Sequence, residues 1–430
     1  MKCLLLSSSL VVVVVLFASG AYAGGVNPTP AELVAAWNAM SGGLPAKVVY
    51  WRDVDGTDDG RGAICVLDLT TGQQTVVRSQ LDMGGGNWKT LQQNAGAGGG
   101  PGPHPCWSPD GTRIYFFNID NDWGHWVMNA DGSNPKRVSS TWDDGGYWFA
   151  SWYDNNSVVY NDIATNPSVI GGEIVRITLD ANNNPVLRTV LIGDSAYGGE
   201  GRSYITAAGT YVAWTDGSAN SPFGGMHRSV VRNFNGPLPP NQQEMEVIAR
   251  DDDACDICIK PDGSGTAVYN HANHLNATAK TYQAGINPPT TLFVWSPVEG
   301  EEIHFLRWSQ HPDYICYMDR RNLAWANQRS YIRKATAADG WAGTQWMFLG
   351  YGIWGADVWV DATGPDTEPP DVTLESVVIA GTVTDDMDDT ATVTINGADV
   401  PVTGNDFLSE QVLSSSPEGV PVVWTGIMAS

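Results

Sequence analysis

Apolar positions along this chain alternate with polar ones in short runs, and each run is cut by a turn-forming cluster. The clearest stretch is Cys106-Trp107-Ser108-Pro109-Asp110-Gly111-Thr112-Arg113-Ile114-Tyr115-Phe116-Phe117, followed by Trp126-Val127-Met128-Asn129-Ala130-Asp131-Gly132. It reads as a strand, a Pro-Asp-Gly turn, an antiparallel strand, and a further strand ending in Asp-Gly. Such pairs permit the positive φ that tight hairpins need. The pattern returns: six second strands align on Tyr50, Phe116, Tyr160, Trp214, Tyr269 and Tyr317, at spacings of 66, 44, 54, 55 and 48 residues. First strands align at 106–108, 151–153, 204–206, 258–260 and 307–309. Spacings of this size fit stacked four-stranded units joined by loops of varying length.

The first copy lacks a first strand of its own, and Val358-Trp359-Val360 fits the vacancy. The prediction is therefore all-β: a six-bladed ring over residues 46–362, closed by pairing the C-terminal strand with the N-terminal blade. Closure removes the exposed sheet edges that invite aggregation. Residues 24–45 predict a helical lead-in, because Thr29-Pro30-Ala31-Glu32 supplies an N-cap, a first-turn Pro and an acid three residues on. Leu33, Ala36, Trp37 and Met40 then share one face. Residues 363–370 form a polar linker. Residues 371–430 alternate about an Asn396-Gly397 turn and predict a short Ig-like β-sandwich.

Trp107-Ser108-Pro109-Asp110-Gly111 with Val127-Met128-Asn129-Ala130-Asp131-Gly132 resembles the TolB-type, WD-like β-propeller repeat. Ile259-Lys260-Pro261-Asp262-Gly263 is a second copy. The resemblance covers about residues 46–361, and implies a six-bladed ring in an extracytoplasmic setting. The tail is similar to bacterial Ig-like modules attached to exported enzymes and surface proteins. No single activity is implied, since propellers of this kind include binding proteins, peptidase companions and a few lyases.

Export is also read from the residues. Lys2, an apolar run from Leu10 to Phe17, and Ala21-Tyr22-Ala23 make residues 1–23 a signal peptide cut before Gly24. No stretch is long enough to span a membrane. The expectation is a secreted, extracellular or periplasmic protein. A formal net charge of -24 repels nucleic acid and anionic lipid, and suits a neutral or cationic partner or a surface kept soluble outside the cell. The partner expected is a glycan or a protein at the cell surface. Five cysteines follow the leader: Cys65, Cys106, Cys255, Cys258 and Cys316. Cys255-Asp256-Ile257-Cys258 has no second pair with which to bind zinc, and an extended strand would point its sulfurs to opposite faces. Buried or disulfide-paired structural cysteines are expected.

Candidate chemistry gathers on the face that carries the links between second and third strands and between blades. Two residues beyond the aligned aromatics lie Arg52, Asn118, Asp162, Asp216, His271 and Asp319. They are turn caps or, for the last five, members of a ligand-facing polar ring. Trp123, Trp142, Trp148 and Trp325 lie in or beside loops, where aromatics near carboxylates grip sugar rings. Asp53, Asp55, Asp58 and Asp59 alternate like the start of a calcium loop, but Ile64 stands where the bidentate Glu belongs. No cofactor is required, and calcium is the one ion this loop could take. His104, His271 and His274 could converge only near the ring axis, where a lyase would hold a divalent metal. No G-x-S-x-G, H-E-x-x-H or phosphate-loop motif occurs. The leading expectation is a non-catalytic propeller binding a glycan or protein with its loop face. The alternatives are a metal-dependent uronate lyase and a structural component of a cell-surface assembly.

Overall fold

A computed structural model describes residues 26–52, 61–82, 88–92, 104–118, 124–139, 150–162, 173–192, 202–216, 228–234, 246–249, 255–271, 276–281, 290–295, 303–319, 328–335 and 345–362, with short strands between 390 and 424. The chain divides into two compact units, Met1–Gly364 and Pro365–Ser430.

The first unit is a β-propeller. Six inner strands follow one another round a closed ring: Cys106–Trp107, Ser151–Asp154, Arg202–Ala208, Cys255–Ile259, Ile303–Trp308 and Ile353–Val360. The first five each open a four-stranded antiparallel blade, named here by its first residue. The Cys106 blade shows why these residues make such a unit. Its hairpin turn is locked by Asp110, whose Oδ1 accepts from the Thr112 N–H at 3.0 Å and the Ser108 hydroxyl at 2.6 Å. Gly111 takes the positive φ, +69°, that the turn demands. Its second strand, Arg113–Asn118, is then buried along Ile114, Tyr115, Phe116 and Phe117. Both faces of a blade meet neighbouring blades, so the run is apolar on both faces.

The sixth sheet is the seam, and it holds both ends of the ring. Ala46–Arg52 pairs antiparallel with Ile353–Val360, placing Lys47 opposite Trp359 and Val48 opposite Val358. The predicted closure is therefore present. The expected six-bladed ring is corrected: five four-stranded blades are present, and the sixth sheet is a six-stranded seam rather than a blade of the same kind. Its outer edge is split. Arg61–Asp68 pairs with Gln74–Arg78 along one part and with Trp88–Gln92 at its start, and Gln80–Asp82 pairs with Trp88–Gln92 in turn. Gln80–Asp82 and Trp88–Gln92 thus add a second antiparallel pair to this sheet.

The lead-in helix, Pro30–Ser41, has its capping box between Thr29 and Glu32, and ends at Gly42 in the left-handed region. Leu33, Trp37 and Met40 are buried against seam residues and against Tyr314 and Met347 of the Ile303 blade. The Lys334 ammonium donates to the Met40 carbonyl at 3.2 Å, near the helix C-terminus, where a cation is favoured. In the second unit only two two-stranded ladders are described, Thr390–Ile395 with Ala398–Thr403, and Gln411–Leu413 with Val422–Trp424. The rest of residues 371–430, where the Ig-like sandwich is expected, lies outside the described residues.

Candidate functional site

The six aligned strand-end residues occupy equivalent positions. Arg52, Asn118, Asp162, Asp216, His271 and Asp319 each form the last pair between second and third strands, opposite Ala63, Gly124, Glu173, Arg228, Asn276 and Arg329. Their strands lie one place out from the axis. Asn118, Asp162 and Asp319 are fully buried. The Arg188 guanidinium reaches Asp162 at 2.9 Å and Glu173 at 2.5 Å, both within its own blade. Burial opposes the Arg188 charge, but Glu173 and Asp162 hold it above the ordinary arginine range. Asp319 lies 3.8 Å from Arg329. The side chains of Asp216 and His271 fall outside the described residues, as do Trp123, Trp142, Trp148, Trp325, Asp53, Asp55, Asp58, Asp59 and His274.

The axis carries a feature the sequence does not announce. Four inner strands hold one residue more than their partners at the same level. The register shifts fall between Ser203 and Thr206, Cys255 and Cys258, and His304 and Arg307; in the seam the extra residue lies between Trp354 and Asp357. Each is a β-bulge, which bends its strand and re-aims side chains. Two need left-handed backbone: Gly355 at φ +55° and Phe305 at φ +53°. Phe305 is an uncommon residue for that region. The bulges bring Ile257, Phe305, Leu306 and Gly355 together with Thr206 and His104 around a cavity of about 10 Å3. That is about the smallest volume that holds one water. Among the described residues, side chains from several inner strands thus pack closely around this point.

His104 reaches this cluster. Its ring lies 4.3 Å from that of Phe305, and a Cβ on Gly355 would fall 2.7 Å from its Nδ1. Burial, reinforced by the Arg307 charge, holds the imidazole neutral, well below its usual range.

Beside it lies a buried charged group. The Asp357 carboxylate accepts the Trp107 backbone N–H at 2.8 Å through Oδ2, while Oδ1 is buried without a hydrogen-bond partner. Burial pushes this carboxyl up to about 6, and Arg307 restrains the rise. Burial also works against the Arg307 charge, but Cys106, Asp357 and Cys258 offset it and hold the guanidinium above its ordinary range. Arg307 Nη1 is itself buried without a partner. The only sequence signal for this pair is a charge within each of two inner-strand runs.

Cys65, Cys106, Cys258 and Cys316 are all buried free thiols. Burial pushes Cys106 and Cys258 up to about 12 and Cys65 up to about 11. These thiols are structural and unreactive. Among the described residues no three His, Cys, Asp or Glu side chains converge as a metal site. None of their helices is long and apolar enough to cross a membrane.

No protein-family model and no curated protein matches this chain. Solved structures do. TolB from Acinetobacter baumannii is similar at TM-score 0.47 and 14% identity, over 75% of this chain and 70% of that one. The periplasmic gluconolactonase of Pseudomonas aeruginosa gives 0.41 and 11%, over 71% and 82%. An oligogalacturonate lyase in complex with manganese gives 0.40 and 12%, over 71% and 74%. The chain is a β-propeller by its own strand arrangement, and likeness at this level carries nothing about activity.

Proposed function

We propose that the protein is an exported, non-catalytic module that binds a glycan or a protein partner through the links on one face of its ring. The supporting observation is the close packing of the inner strands. A closed ring whose inner strands bury Ile257, Phe305 and Leu306 around one small cavity is a rigid scaffold. Asp162 and Asp319 are taken up within their own blades. Recognition then falls to the links between strand ends, the usual place for function on a rigid frame. Trp123, Trp142, Trp148 and Trp325 belong to those links and offer flat apolar faces for a sugar ring or a partner side chain.

A glycan array followed by calorimetry tests this reading. Trp123→Ala and Trp325→Ala are each expected to weaken the best ligand by about tenfold or more. Trp346→Ala, at the hairpin end of an outer strand, should leave binding intact. Wild-type affinity in both link variants would remove the proposal.

One observation favours a second reading as a metal-dependent uronate lyase. His104, held neutral as a metal ligand must be, lines the axial cavity with Ile257 of the Cys255 blade, whose second strand ends in His271. The lyase reading expects unsaturated uronate ends to form from an acidic polysaccharide in the presence of manganese, and His271→Ala to abolish them. If wild-type protein yields no such product, that reading is lost.

A further inference from the structure

A larger cavity, of about 340 Å3, lies in the wall of the ring beneath the N-terminal lead-in, between the seam sheet and the outer strand Trp346–Tyr351. The lead-in makes it by crossing the seam as a strap. Asn27 Oδ1 accepts the Tyr351 backbone N–H at 2.7 Å. Pro30 lies so close to Gly72 that a Cβ there would fall 2.5 Å from the Pro30 carbonyl oxygen. Leu33 then sinks into the core. Tied down at both points, the strap spans a gap that no described side chain fills. The volume is within the range of small-molecule sites, ~300–1,000 Å3.

The lining is two-sided. Leu33, Leu67, Leu349 and Ile353 give it an apolar wall, while Arg52 and Gln74 stand on the polar side. Arg52 is the one charged side chain among the described lining residues, and no carboxylate is among them. In a chain with 47 acidic and 23 basic residues that composition is unusual. Arg52 Nη1 donates to Gln74 Oε1 at 3.2 Å, a neutral partner that orients the guanidinium without cancelling its charge. An arginine so placed offers paired N–H donors of the geometry a carboxylate accepts.

We infer that this cavity binds a small organic carboxylate with an apolar body, its carboxylate on Arg52 and its body against Leu67, Leu349 and Ile353. The site lies in the ring wall and does not depend on the link-face proposal, so either can fail without the other. Calorimetric titration of the intact protein with hexanoate, phenylacetate and hexanamide tests it. Both carboxylates are expected to bind, and hexanamide about tenfold more weakly or worse, the value of a charge-assisted hydrogen bond. Arg52→Met should bring the carboxylates down to the level of the amide. Gln73→Trp places a bulky ring from an exposed lining position into the cavity. It should remove binding of all three while leaving thermal unfolding unchanged. Equal binding of hexanoate and hexanamide, retention of carboxylate binding by Arg52→Met, or no binding of either carboxylate would overturn the inference.

Discussion

Asp357 is the residue whose ionisation bears most directly on stability. Its folded pKa of about 6 lies above the ordinary 3.8, so the folded protein holds this proton more tightly than the unfolded chain does. Its contribution is complete below about pH 4 and is lost as pH rises towards 6. The difference corresponds to about 3 kcal/mol at neutral pH, to the order of magnitude. Asp357→Asn keeps an oxygen for the Trp107 N–H but cannot ionise. Denaturant unfolding at several pH values should therefore show the variant gaining on wild type as pH rises across this window. A parallel pH dependence in the two proteins would show that the carboxyl is already ionised throughout. Cys106 and Cys258 beside it stay protonated across the whole range.

At the scale of elements, one turn motif has two different consequences. Gly111 and Gly263 end the same Pro-Asp-Gly sequence at φ +69° and +71°. A Cβ on Gly263 meets nothing within 4 Å, whereas one on Gly111 would fall 2.4 Å from the Trp359 ring. Gly263→Ala should cost about 1–2 kcal/mol, the penalty for left-handed backbone. Gly111→Ala should cost at least about 1 kcal/mol more, because the closing strand must shift. Equal melting temperatures would mean that Trp359 moves aside freely. The example also shows what sequence can and cannot reveal. The turns, second strands and helix caps were legible because their chemistry is local: Asp110 and Asp262 bond the residues just after them. The axial bulges were not legible, since an extra residue exists only relative to a partner strand. Nor was Trp88–Gln92, whose pairing with Arg61 and Gly62 depends on contacts made across the fold. Within the candidate site, the strand-end positions could be aligned from their aromatic neighbours. The burial of Asp162 depended on Arg188, 26 residues away, and no spacing marks that.

For the whole molecule the ring stands or falls at the seam, where residues about 300 apart in sequence form one ladder. Among the described strands every other pairing joins near neighbours in the chain, and this one converts a row of blades into a closed ring. Trp359 reinforces it by donating from Nε1 to the Pro109 carbonyl at 3.2 Å, and Gln310 donates to the Trp107 carbonyl at 3.2 Å. Two chemically identical substitutions separate closure from ordinary strand stability. Val358 on the closing strand is fully buried, while Val186 on the outer edge of the Ser151 blade is 60% exposed. Val358→Asp buries an unpaired charge and should cost about 4 kcal/mol or more, whereas Val186→Asp should stay within about 0.5 kcal/mol of wild type. If closure is what makes the blades unfold together, Val358→Asp should also broaden the thermal transition, as blades near the seam come apart before those opposite. A variant that melts sharply and only slightly early would mean that the blades hold one another without the seam.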